Sequence, residues 1–191
     1  GLVEKFAARG YSLYLVGGSV RDALLGRLGN DLDFTTPARP EVVKEILDEW
    51  AETVWDTGID FGTVSAAYKG QQIEITTFRS DSYDGQSRNP EVVYGDTLEG
   101  DLVRRDFKAN AMAIELLADA SFKFHDPLHG LQDIADRVLD TPDKPEISFH
   151  DDPLRMLRAA RFASQLEFRV ADRVVEAMRD MAGEIQRITV E

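Results

Sequence analysis

Hydrophobic and polar positions follow two rhythms along this chain. Ser12-Leu13-Tyr14-Leu15-Val16 is an apolar, β-prone run that halts at the glycine pair Gly17-Gly18. Val20 to Leu25 then reads as a short helix that ends near Gly26. Val42, Val43, Ile46, Leu47 and Trp50 recur at helical spacing, which predicts an amphipathic helix from Val42 to Trp50. Phe61 to Tyr68 and Gln72 to Phe78 read as two strands turned at Lys69-Gly70-Gln71. Ser80 to Gly100 is polar, acidic and glycine-containing, and predicts a long loop with little regular structure. Asp106 to Leu117 reads as a helix, and from Asp133 onward the pattern is almost wholly helical, with one break at Pro142 to Pro145. There is no internal repeat. The expected fold class is α/β, with an α/β part over residues 1–125 and a helical part over 126–191.

Composition narrows this further. The chain has 191 residues and 43% hydrophobic content, enough for one domain with a real core and part of another. No run approaches the ~18 apolar residues that cross a bilayer, and no signal peptide is visible, so a membrane is not expected as a partner and the expected compartment is the cytoplasm. With no cysteine, disulfides and thiolate metal sites are excluded. His125 and His129 are four apart, but Pro127 between them argues against a metal-binding helix face. A net charge of −13 argues against strong nonspecific nucleic-acid binding, while leaving room for a local basic channel. Both ends read as fragment boundaries.

The chemistry starts at Asp31-Leu32-Asp33. On a strand, Asp31 and Asp33 share a face, because side chains alternate with period two. Two carboxylates so close suit a hard divalent cation such as Mg²⁺, which takes a few carboxylates together with phosphate oxygens. Gly17 and Gly18 upstream let backbone approach a phosphate, and a strand, a glycine turn and a helix N-terminus make an anion site. Ser19 is positioned to cap that helix, with Asp22 at a capping-box-like spacing. Arg21 in the first turn works against the helix dipole, which points to a triphosphate partner or an internal carboxylate. An ordinary β-turn-α unit with a surface Asp-Leu-Asp is the plain alternative.

Three more segments complete a pattern. They are Arg104-Arg105-Asp106-Phe107-Lys108-Ala109-Asn110-Ala111-Met112-Ala113, Asp126-Pro127-Leu128-His129-Gly130-Leu131-Gln132-Asp133, and Asp151-Asp152-Pro153-Leu154-Arg155-Met156-Leu157-Arg158-Ala159-Ala160-Arg161-Phe162. With these, from about Leu15 to Phe168, the chain resembles the class II tRNA nucleotidyltransferases, the CCA-adding enzymes, a family that includes bacterial poly(A) polymerases. The resemblance implies a DNA polymerase β-like nucleotidyltransferase head domain over 1–125 and an all-α neck over 126–191, with the family's C-terminal body and tail absent. Arg187 to Glu191 resembles the start of a further motif.

The resemblance also implies roles. Asp31 and Asp33 would hold two Mg²⁺ ions, with Glu74 as a third carboxylate on strand logic; an exposed strand glutamate is the alternative. Gly17, Gly18, Ser19 and Arg21 would cradle the triphosphate. Arg105, Asp106 and Asn110 would bind nucleotide, Asp106 through the ribose hydroxyls; its alternative is a helix cap. Arg155, Arg158 and Arg161 recur every three residues and share a face with Asp152, beside an apolar stripe of Leu154, Leu157 and Ala160 that is free to bury. A carboxylate beside a guanidinium offers an acceptor and fixed donors, which suit cytosine and adenine and refuse guanine and uracil. An internal Asp152–Arg155 salt bridge is the plain reading. The family commonly has Glu-Asp where this chain has Asp151-Asp152. The implied reaction is template-independent transfer of CMP and AMP from CTP and ATP to the 3′ end of tRNA. The segment around Tyr83, Asp84, Arg88 and Pro90 occupies the place of the loop used in switching from C to A. The alternatives are a poly(A) polymerase, an enzyme adding only CC or only A, and a non-catalytic nucleotide-binding module. The oligomeric state is not readable.

Overall fold

A seven-stranded mixed sheet collects the alternating segments of the first part of the chain, in the order β3-β4-β5-β2-β1-β6-β7. The computed structural model describes residues 1–80 and 92–187. In chain order this unit runs α1 (Leu2–Ala8), β1 (Leu13–Val16), α2 (Gly18–Leu24), β2 (Asp31–Thr36), α3 (Pro40–Trp50), β3 (Thr53–Trp55), β4 (Thr63–Tyr68), β5 (Gln71–Thr77) and α4 (Leu98–Val103). It closes with β6 (Ala113–Leu116) and β7 (Phe122–His125). β2 and β5 pair in parallel, and the other pairings are antiparallel. Leu13, Phe34, Val64, Ile73 and Ile75 form one apolar face of the sheet, covered by Phe6 of α1 and by Val43, Ile46 and Leu47 of α3. Pro40 starts α3, where its missing N–H loses no bond. The β4–β5 hairpin turns on Lys69 and Gly70, at φ 48° and 80°. Positive φ at both central residues matches the right-handed strand twist.

The chain divides into two compact units, Gly1–Leu102 with Met112–His125, and Val103–Ala111 with Asp126–Glu191. The excursion at 103–111 carried no warning in the sequence pattern. Its anchor is Phe107, fully buried in a cluster with Leu139, Ala159, Phe162 and Phe168 of the second unit. There α5 (Gly130–Asp136), α6 (Pro145–Asp151), α7 (Leu154–Leu166) and α8 (Asp172–Met181) follow, with a two-residue parallel pair of β8 (Val138–Leu139) and β9 (Arg169–Val170). A further cluster joins Phe149 of α6, Met156 of α7, and Val174 and Ala177 of α8.

Several expectations are corrected. Asp106 to Leu117 is not a helix: a short 3₁₀ turn at Lys108–Asn110 leads into β6, whose four residues all pair with β1. Ala, Met, Glu and Leu favour helix locally, but pairing inside a sheet overrides that preference. The stripe Leu154, Leu157, Ala160 is not buried; Leu154 and Leu157 are 44% and 51% exposed. α7 instead buries Met156, Ala159 and Phe162, because those positions meet the partner side chains of the two clusters. The region from Ser80 to Gly100 contains the start of α4. Tyr83, Asp84, Arg88 and Pro90 lie outside the described residues, as does the end of the chain beyond Arg187.

Candidate active site

In the first unit, β2 places Asp31 and Asp33 on the sheet face away from the helical core, and both are exposed. The parallel register sets Asp33 beside Glu74 and Asp31 beside Gln72. Three carboxylates therefore crowd one face across two adjacent strands, an arrangement that repels unless a cation is near. Partial burial, and after it the charges of Asp33 and Asp31, hold the Glu74 carboxyl above its ordinary value. The donor set suits a hard divalent cation in charge and oxygen type. Among the described residues, however, no three His, Asp or Glu side chains converge into a closed metal site.

The glycine turn abuts this strand. Gly17 sits at φ 64° and ψ −139°, a conformation that side chains other than glycine's rarely adopt, and α2 begins at Gly18. Ser19 does not cap α2. Its hydroxyl accepts the Asp33 backbone N–H at 3.0 Å instead, which ties the turn to the aspartate strand. The buried Arg21 finds an internal carboxylate: its Nε lies 3.0 Å from Asp22.

In the second unit, Asp106 is the hub. Its Oδ1 accepts the Phe107 N–H at 2.8 Å and the Asn110 amide at 3.1 Å, and its Oδ2 accepts Arg158 Nε at 2.9 Å and Nη2 at 2.6 Å. Local turn capping and ion pairing thus coexist. A carboxylate has about four acceptor sites, so those of Asp106 are full. Arg105 lies half-buried beside it. The three arginines of α7 part company. Arg158 meets Asp106, Arg161 lies over the Phe162 ring at 5.3 Å, and Arg155 donates to Ser148 Oγ at 2.9 Å and to the Arg104 carbonyl at 2.8 Å. No salt bridge joins Asp152 to Arg155; Asp152 accepts the Leu154 N–H at 3.1 Å and so starts α7.

The sequence pattern did not reveal the bonds around the Asp126 motif or the network behind Asp106. The Asp126 carboxylate accepts the Gly130 and Leu131 N–H groups at 2.7 and 3.0 Å, capping α5. Lys108 lies 3.3 Å from Asp133 and 3.5 Å from Asp140, and Arg173 Nε lies 2.7 Å from Asp140. One oxygen of Asp133 is buried without a hydrogen-bond partner, and burial pushes its carboxyl up against the opposing pull of Lys108. The Asp-x-x-x-Gly-x-x-Asp spacing of Asp126, Gly130 and Asp133 was the available signal.

Residues 13–140 match the family model described as the poly A polymerase head domain. The CCA-adding enzyme of Lactobacillus helveticus is 42% identical over 183 residues, 95% of this chain and 44% of that protein. The crystal structure of the Bacillus stearothermophilus CCA-adding enzyme in complex with CTP superposes with a TM-score of 0.84 at 37% identity, covering 100% of this chain and 44% of that one. A tRNA nucleotidyltransferase complexed with a primer tRNA and an incoming ATP analog gives a TM-score of 0.79 at 30% identity, over 96% of this chain and 50% of that one. The chain therefore spans about half the length of the relatives it matches.

Proposed function

The chain belongs to the poly A polymerase head-domain family, and from that premise we propose that it is the nucleotide-handling part of a CCA-adding tRNA nucleotidyltransferase. Residues 1–125 correspond in this reading to the head and 126–191 to the neck. The reaction is template-independent transfer of CMP and then AMP from CTP and ATP to the 3′ end of tRNA, in the cytoplasm. The observation that carries the reading is the carboxylate face Asp31, Asp33 and Glu74, bonded through Ser19 to a glycine turn.

Asp31 and Asp33 would hold divalent cations, Mg²⁺ by preference, with Glu74 as supporting ligand. A cation held by these carboxylates would supply Lewis-acid chemistry, lowering the pKa of a primer hydroxyl and offsetting the charge of the leaving pyrophosphate. Gly17, Gly18 and the N–H groups opening α2 suit phosphate oxygens by close backbone approach. Arg21, though paired with Asp22, keeps its charge in the same turn. In the second unit, Asp106 is the acceptor for ribose hydroxyls. Its sites are full, so a ribose enters by exchange with the half-exposed Arg158 rather than by simple addition. Arg105 and Asn110 flank that acceptor, and Arg161 adds charge on the exposed side of α7. Asp152 and Arg155 offer the acceptor and donors that favour cytosine and adenine.

The test is nucleotide incorporation into tRNA lacking its 3′ CCA. CTP, ATP, GTP and UTP are supplied singly and together with Mg²⁺, to this chain and to one extended to the length of its relatives, with Asp31→Ala as control. Addition of C, C and then A, lost in the control, is the expected result. Long A tails move the assignment to a poly(A) polymerase. Incorporation that stops at CC, or of A alone, marks a partial adding enzyme. Nucleotide binding without any incorporation marks a non-catalytic module.

A further inference from the structure

Arg155 and Asp152 share one neighbour. Ser148, in α6, accepts the Asp152 backbone N–H on its carbonyl at 3.1 Å and Arg155 Nη1 on its hydroxyl at 2.9 Å. Arg155 Nη2 is held in turn by the Arg104 carbonyl at 2.8 Å. Ser148 is itself buried, at 8% exposure, between the partners it bonds.

We propose that Ser148 is a positioning residue that sets nucleotide selectivity by holding Asp152 and Arg155 in one fixed relation. The inference rests on the reading of those two residues as the pair that meets the base. A guanidinium is a planar fork with five donors, and two acceptors on separate nitrogens fix its plane. Once the plane is fixed, the remaining N–H directions are fixed too, and hydrogen bonding weakens steeply with misalignment. The Ser148 carbonyl does the same for the other partner: it sets the backbone of Asp152 at the end of α6, from which the carboxylate projects. Without the hydroxyl, Arg155 keeps its charge and the Arg104 anchor but can swing about it. A swinging guanidinium still attracts a nucleotide. It no longer rejects the base whose acceptors and donors are reversed.

The hydroxyl is therefore expected to act on discrimination more than on affinity. The test measures dissociation constants for CTP, ATP, GTP and UTP with Mg²⁺, by calorimetry on the 191-residue chain, for wild type, Ser148→Ala, Ser148→Thr and Ser148→Val. Thr and Val match in shape and differ in the hydroxyl, so they separate the bond from packing should Ala perturb α6. The preference for CTP and ATP over GTP and UTP is expected to fall about three- to tenfold in S148A, and to be lower by a similar factor in S148V than in S148T. S148T is expected to stay within about twofold of wild type. Equal weakening toward all four nucleotides, with the preference kept in S148A and S148V, marks a merely structural role and overturns the inference. A wild type that discriminates while all variants discriminate equally well overturns the inference alone. A wild type that binds all four alike removes the base-reading role of Asp152 and Arg155, and the inference with it.

Discussion

The carboxylate face of the first unit and the arginine helix of the second carry opposite charge and solve opposite problems. On β2 and β5, Asp31, Asp33 and Glu74 stand together on an open face, where partial burial first, and their mutual repulsion after it, raises the proton affinity of Glu74. Around α7, Asp106 has its acceptor sites filled by Arg158, Asn110 and the Phe107 N–H, and Arg155 is held at both ends of its fork. The first region gains by adding a partner. The second, in the proposed reading, would bind by exchanging one partner for another. Charges on the first face are thus expected to matter for chemistry and little for stability, whereas those in the second matter for both.

The largest effect belongs to Asp33→Ala. Nucleotide addition is expected to fall by at least about a thousandfold, because in the proposed reading Asp33 holds a metal ion that acts on the transition state. The melting temperature is expected to hold or rise slightly, since Asp33 is exposed and a like charge beside Glu74 is removed. A large drop in stability would break the contrast by making this face part of the scaffold.

Arg158→Ala comes next, and its first readout is stability. It strips the buried Asp106 of its charged partner, and removing one member of such a pair costs about 2 to 3 kcal/mol; the half-exposed position of Arg158 places it below the fully buried range. Denaturant unfolding measures the loss. Asp106→Asn in the same chain is expected to restore part of it, because a neutral amide needs no counter-ion. Purely additive losses in the double variant would show that the two side chains do not act as a pair.

Glu74→Gln sharpens the first half of the contrast. The metal-free protein is expected to be as stable as wild type or slightly more so, since a like charge beside Asp33 is removed. Divalent cation binding is expected to weaken about tenfold, the low end for loss of a supporting group at a metal site. Calorimetric titration with Mg²⁺ decides between a ligand and an exposed strand glutamate: unchanged affinity leaves Asp31 and Asp33 to act without it.

What the sequence made legible follows from the range of the interactions involved. The strands β2, β4 and β5 and the helix α3 are local patterns of alternation or helical spacing that one face of a core then completes. The Asp31/Asp33 pairing and its neighbour Glu74 were legible for the same reason. The β6 strand was not, because nothing within Ala113–Leu116 announces that β1 and β7 flank it. Nor was the true buried face of α7: Leu154 and Leu157 are more hydrophobic than Ala159, but Phe107 arrives from a distant segment and selects the other face. The partners of Ser19, Arg155 and Arg158 are likewise made across turns and between elements, where spacing along the chain carries no information.

The smallest expected effect is at Asp133, and it probes how tightly the second unit is balanced. Burial raises the Asp133 carboxyl, and Lys108 only partly offsets it. The folded state therefore holds this proton more firmly than the unfolded chain does. That stabilisation is fully present below the ordinary aspartate range and is lost as pH rises through the folded-state value. Asp133→Asn keeps the shape and removes the titration, while Lys108 retains Asp140 at 3.5 Å. The variant is expected to match wild type at low pH and to become more stable relative to it as pH rises to neutrality, by less than about 1 kcal/mol. Melting temperatures measured from pH 4 to 8 on both proteins give the sign. A difference running the other way would mean that the Lys108 pair outweighs burial, and that the network behind Asp106 is held by charge rather than in spite of it.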